Sequence, residues 1–311
     1  MDLRERSSPE NAVECAPASS VSSLFVGPHG LRAGWRFLIY IAAVVGLMIA
    51  LRYALHPLFP KGRAGTPSVW AFLVFECSAL LAAVVPALVL SHYEERPFDD
   101  YGLPHKQAFG RNFWIGALWG LAGITCLLAA LRLAGVFYFG GLVMHGFQVL
   151  KYGVFWAVMF IVVGLFEEFV TRGYSQFTLA QGIGFWPAAV VLSVAFGAIH
   201  LTNQGEALLG ALGAAAGALL FCLTLRRTGT LWFAVGMHAA WDWGETFLYS
   251  VPDSGTSAPG HLMNPSFQGS RWLTGGSVGP EGSVLVFVVI AVMWVVFDRV
   301  YPAKTISQSA S

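Results

Sequence analysis

Long apolar runs recur along this chain, at 37–51, 70–90, 113–136, 154–170, 186–200, 207–225, 231–249 and 283–297. A lipid core offers no hydrogen bonds to the backbone, so a segment that crosses it must pair its own N–H and C=O groups. A helix of about 20 apolar residues does so. The chain therefore reads as an all-α polytopic membrane protein with about eight transmembrane helices. Its charge content agrees: 11% of the 311 residues are charged and 56% are hydrophobic, against about 25% charged in soluble domains.

An even number of crossings puts both termini on one side. With the N terminus inside, only Arg52, Lys61, Arg63, Arg132, Lys151 and Arg271 lie outside, leaving 12 of the 18 Lys and Arg on the inner side. This bias points to cytoplasmic termini. Residues 1–30 are polar and Ser/Pro-rich, lack the early apolar core of a cleavable signal peptide, and read as a disordered tail. A single transmembrane domain at 31–300 follows, with its chemistry at about 150–250, and a short tail at 301–311. A net charge of +1 with no basic block excludes nucleic acid as a partner. The four cysteines, Cys15, Cys77, Cys126 and Cys222, show no CxxC spacing and read as apolar filler. The longest connection, 251–282, is rich in Gly, Ser and Pro and predicts no regular helix. It reads as a linker, with a lid as the alternative and Phe267, Trp272 and Leu273 available to rest on the membrane surface.

An ionisable side chain at mid-bilayer costs roughly 2.5–3.5 kcal/mol, so several together require a purpose. The fourth run ends in FEEFVTRGYSQF. Glu168 and Arg172 are i and i+4, on one helix face, and suit an ion pair. Glu167 points about 100° away with no local partner and is the candidate reagent. The fifth run carries Phe196 and His200 on one face, and the seventh carries His238 and Asp242 at i and i+4. Glu167 lies 17 residues before Gly184 in the turn QGIGFWP and His200 lies 16 after it. If the fourth helix continues past Arg172, the two side chains reach similar depth. Glu76 reads as an interfacial or helix-bonded acid. His56, His92, His105, His145 and His261 fall in loops or at span ends.

A carboxylate beside a histidine in a dry cavity is what water activation needs. A second histidine with a polar partner can steady an oxyanion. The same atoms of Glu167, His200 and His238 would also serve as a zinc ligand set with an open fourth position, and the spacing alone does not choose between the two.

EExxxR (Glu167, Glu168, Arg172), FxxxH (Phe196, His200) and HxxxD (His238, Asp242), in this order, resemble the CPBP family, which groups type II CAAX-prenyl endopeptidases with bacterial bacteriocin-processing and immunity-type membrane proteins. The likeness covers roughly residues 90–250, and LTGGSVGPEGS resembles a loop of bacterial members. It implies a protease of the bacterial inner membrane acting on a peptide or lipidated protein. Glu167 would be the general base, His200 its partner in activating water, and His238 with Asp242 the oxyanion side. Glu168, Arg172 and Phe196 would support them. Where the best-known eukaryotic members have Asn, this chain has Asp242, and a carboxylate can assist an oxyanion only when protonated or by orienting His238. Two rival readings use the same residues: a non-enzymatic scaffold or immunity-type protein whose polar cluster staples helices together, and a proton-coupled carrier. The carrier is disfavoured because no pair of broken half-helices repeats along the chain.

Overall fold

The computed structural model describes residues 22–27, 30–59, 69–203, 207–256 and 259–303. Its helices are α1 (Ala33–Leu55), α2 (Val69–Tyr93), α3 (Arg111–Leu133), α4 (Phe147–Ile183), α5 (Phe185–His200), α6 (Leu208–Thr228), α7 (Trp232–Trp243) and α8 (Val284–Val300). Five of these regions, α1 to α4 and α6, are long and apolar enough to cross a membrane, and α5 is a shorter apolar helix. Leu38, Val45, Val89, Leu118, Val190 and Val292 lie exposed on helix surfaces, as side chains that face lipid do. The protein is an all-α integral membrane protein. Of the predicted tails at 1–30 and 301–311, residues 1–21, 28–29 and 304–311 lie outside the described residues. Ser22–Phe25 form one helical turn, and Val26–Gly27 pair antiparallel with Gly30–Leu31.

The fourth helix does continue past Arg172, as a match in depth between Glu167 and His200 requires. It passes through a π-helical stretch, Phe169–Ser175, in which Gly173 leaves helical geometry at φ −81° and ψ −115°. A side chain at Gly173 would meet the Phe169 ring, whose Cδ2 lies 2.6 Å from the Cβ position. π-Bulges of this kind concentrate at functional sites because they re-aim side chains without ending the helix. Gly184, at φ +85°, then turns the chain directly into α5.

Helices α3 and α7 pack with their backbones almost touching. Cβ atoms built at Gly116, Gly120 and Gly236 would fall 2.1, 2.0 and 2.1 Å from the carbonyl oxygens of Phe233, Met237 and Phe113. In lipid no hydrophobic effect drives helices together, so small residues at such contacts supply the close packing that does. Gly164 gives α4 a similar approach to α7, with its Cβ position 3.2 Å from the Val235 carbonyl oxygen. These contacts seat the His238 helix between α3 and α4. Gly120→Val is therefore expected to cost about 3 kcal/mol by overpacking. It should lower the midpoint of thermal unfolding in detergent by roughly 6 °C or more, and it would displace Met237 and the adjacent His238.

At the other end of α4, Glu94 gathers Arg36 at 2.8 Å, the Tyr101 hydroxyl at 2.9 Å and the Tyr174 hydroxyl, tying α1, α2 and α4 together. The connection 251–282 is more ordered than its composition predicts. Ser266–Phe267 pair with Phe137–Tyr138, and Arg271–Thr274 form a helical turn, a correction to the expectation of none. Local capping explains the turn: the Ser270 hydroxyl accepts from the Trp272 N–H, and Gly275 ends the turn at φ +78°.

Candidate active site

The α4 carboxylates have opposite environments. Glu168 is completely buried, and its Oε1 accepts from Arg172 Nη1 at 2.7 Å. The Glu167 side chain is 26% exposed and faces a cavity of about 350 Å³. The cavity is also lined by Glu76, His200, His238, Asp242 and Glu281. The ion pair expected of Glu168 and Arg172 is present, and the guanidinium also lies over the rings of Phe196, at 4.8 Å, and Phe221, at 5.3 Å. Aromatic faces of this kind stabilise a desolvated cation.

Glu168 reaches beyond its own helix. Its Oε1 also accepts from His238 Nδ1 at 2.8 Å, so Glu168 ties α7 to α4 as well as pairing with Arg172. Once Nδ1 is committed to Glu168, the other ring nitrogen faces the cavity, where Nε2 lies 3.4 Å from Asp242 Oδ2 and 3.6 Å from Glu167 Oε2. Phe221 stacks on the imidazole at 5.4 Å with an interplanar angle of 15°. Three carboxylates thus surround one ring, with Arg172 as a fixed countercharge behind Glu168.

His200 lines the same cavity. Its Nδ1 donates to the Phe196 carbonyl at 2.8 Å, because a carbonyl can only accept. That contact fixes the tautomer and leaves Nε2 as an acceptor in the neutral ring. The Phe196 ring packs on the imidazole at 4.5 Å. Among the described residues, His200 forms no direct ion pair with Glu167. The two line one cavity, whereas the nearest imidazole to Glu167 belongs to His238. The predicted zinc set behaves likewise. Among the described residues, the three-ligand group with atoms close enough to share an ion is Glu245, Asp253 and Glu281, not Glu167, His200 and His238.

Residues 149–244 match the family model described as type II CAAX prenyl endopeptidase, Rce1-like. No curated protein and no solved structure matches the chain. The matched segment runs from the first turn of α4 to the end of α7 and holds Glu167, Glu168, Arg172, His200, His238 and Asp242 together.

Other cavity residues lie outside that segment or were read differently from sequence. Glu76, read as an interfacial or helix-bonded acid, is part of the cavity wall. Its signal was available, as a lone acid inside an apolar run. Phe221, Asp253 and Glu281 gave none, since an aromatic in an apolar helix and acids in a polar loop are ordinary. Asp253, Ser254 and Glu281 bring both ends of the 251–282 connection onto the cavity. Burial, ahead of the neighbouring Asp242 and Glu281 carboxylates, holds the Asp253 carboxyl well above the usual range.

Proposed function

We propose that the chain is an intramembrane endopeptidase that hydrolyses a peptide bond of a membrane-associated polypeptide, of the prenylated CAAX type or otherwise lipidated, with water activated by Glu167 and His200. The observation that carries this reading is the meeting of a half-exposed carboxylate, Glu167, with two imidazoles in one cavity, while its buried neighbour Glu168 is spent on holding Arg172 and His238. The match of residues 149–244 to a protease family supports it. The excess of Lys and Arg on one side supports cytoplasmic termini, and the LTGGSVGPEGS loop supports a bacterial plasma membrane as its location.

In this mechanism a water molecule lies between Glu167 and His200. The Glu167 carboxylate takes one of its protons, while His200 Nε2 accepts the other in a hydrogen bond and aligns the oxygen. The resulting hydroxide adds to the scissile carbonyl carbon. The C=O π electrons move onto oxygen, and the oxyanion is met by the His238 Nε2–H. Donation from both ring nitrogens at once, to Glu168 and toward the cavity, is what an imidazolium supplies, and three surrounding carboxylates favour that charge. Collapse of the adduct breaks the C–N bond as protonated Glu167 returns its proton to the leaving amine. Asp242 acts through His238, holding Nε2–H on the cavity side.

A farnesylated CAAX-ended peptide and its unlipidated twin, incubated with purified protein in detergent and read by mass spectrometry, test the assignment. Cleavage of the lipidated peptide is the expected result, and cleavage of neither overturns it. Because Asp242 needs only to accept from His238, Asp242→Asn should keep kcat/KM within about tenfold of the parent, whereas Asp242→Ala should lose on the order of 10²–10³-fold.

A further inference from the structure

The turn after Asp242 is a second π-helical stretch, Gly244–Leu248, and it carries Glu245 into the interior. Glu245 is completely buried, and neither of its carboxylate oxygens has a hydrogen-bond partner. Two more acids converge on it from the ends of the 251–282 connection. One ligand oxygen each from Glu245, Asp253 and Glu281 lies within 4.8 Å of the others.

The environment treats these three carboxylates unequally. Glu281 accepts from Trp241 Nε1 at 3.1 Å, and from the Ser254 hydroxyl and N–H at 2.8 and 3.2 Å. Asp253 accepts from the Thr246 hydroxyl at 3.2 Å. Glu245 has no hydrogen bond of normal geometry; the Trp241 N–H beside it is taken by Glu281. A buried polar atom without a partner is costly, and a buried charge more so. A protonated Glu245 would donate its O–H to a neighbouring oxygen, yet neither of its oxygens makes a hydrogen bond.

We propose that Glu245, Asp253 and Glu281 form a binding site for a hard divalent cation of the calcium class, set in the wall of the cavity that contains Glu167 and His238. Oxygen-only ligands select a hard cation over zinc. Two ligands at about 2.3–2.6 Å from one ion lie at most about 5 Å apart, which matches the spacing of these oxygens. Three carboxylates offer three to six oxygens, and water completes the shell. Size separates the ion from a cationic peptide side chain: Asp253 and Glu281 line the cavity, whereas Glu245 is fully buried and outside its lining, so a guanidinium or ammonium in the cavity would leave Glu245 unmatched while a small ion bridges all three. The ion ties both ends of the 251–282 connection to the end of α7, one turn beyond Asp242.

Full-length protein in detergent, stripped with EDTA and dialysed, tests this by its thermal midpoint and by elemental analysis of bound metal. Added CaCl2 at about 1 mM should raise the midpoint by about 5 °C or more and leave one ion per chain, with MgCl2 weaker. Glu245→Gln and Asp253→Asn should lose both the ion and the response while melting in EDTA no lower than the parent, because like charges are removed. Asp253→Asn, in the connection, carries the test should Glu245→Gln fail to fold. Three results overturn the proposal: a parent protein indifferent to calcium and magnesium, a calcium response retained in both variants, or Glu245→Gln melting above the parent even in saturating calcium, which would mean that protons neutralise the cluster. Neither readout involves peptide cleavage, so Glu167→Gln should bind the ion as the parent does. Loss of the endopeptidase assignment would leave this result standing.

Discussion

Glu167→Gln is expected to lower kcat/KM for peptide hydrolysis by on the order of 10²–10⁴-fold, the usual contribution of a positioned general base, while its thermal midpoint stays within about 2 °C of the parent. Gln is nearly isosteric with Glu but cannot take a proton from water or return it to the leaving amine. The structure explains why stability should survive. Glu167 is partly exposed, and its nearest ionic contact among the described residues, His238 Nε2, stands at 3.6 Å, too long for a strong hydrogen bond. Activity and melting of the same preparation are measured together because the scaffold reading predicts the reverse pattern. If the cluster only staples helices, the substitution would change stability and no peptidase activity would exist to lose. Intact cleavage by Glu167→Gln would remove this carboxylate from the chemistry.

Glu168→Gln should behave in the opposite way, destabilising the protein by about 3–5 kcal/mol, the cost of removing one partner from a buried ion pair. Glu168 Oε1 alone accepts from both Arg172 and His238. Without its charge, Arg172 keeps, among the described residues, the Thr171 hydroxyl at 3.0 Å, the Cys222 thiol and the faces of Phe196 and Phe221. An interior guanidinium is then left without a counterion. The imidazole also loses the acceptor that holds Nδ1–H, so the cleavage rate of any folded fraction should fall with it. Denaturation in detergent monitored by tryptophan fluorescence reads the first effect. The double variant Glu168→Gln/Arg172→Met reads its cause: with both charges gone, much of the lost stability should return, since replacing a whole buried pair by well-packed neutral groups is often near neutral. A double variant as unstable as Glu168→Gln would assign the cost to His238 instead.

The different fates of Glu167 and Glu168 show how far a sequence can be read. Their i and i+1 positions place them on different faces whatever the tertiary fold, and the i, i+4 spacing of Glu168 with Arg172 and of His238 with Asp242 fixes which side chains share a face. Both pairs form in the structure. Depth along a helix was legible too, because Gly184 must turn the chain and 1.5 Å per residue sets the reach on either side. The contact of His238 with Glu168 was not legible, since it depends on the distance and rotation between α4 and α7, which Gly164, Gly116, Gly120 and Gly236 set by letting backbones approach. Nor was the ordering of 251–282, where composition argued for a linker and pairing with Phe137–Tyr138 prevailed.

Local periodicity and the insolubility of unpaired backbone in lipid were thus enough to determine an all-helical membrane protein and the two i, i+4 pairs of polar residues along its helices. Which imidazole stands next to Glu167, which carboxylate is buried, and which acids gather around Glu245 were decided only by the tertiary structure. Helical spacing constrains neighbours on one helix. Contacts between helices follow from packing distances and rotations that no single segment encodes.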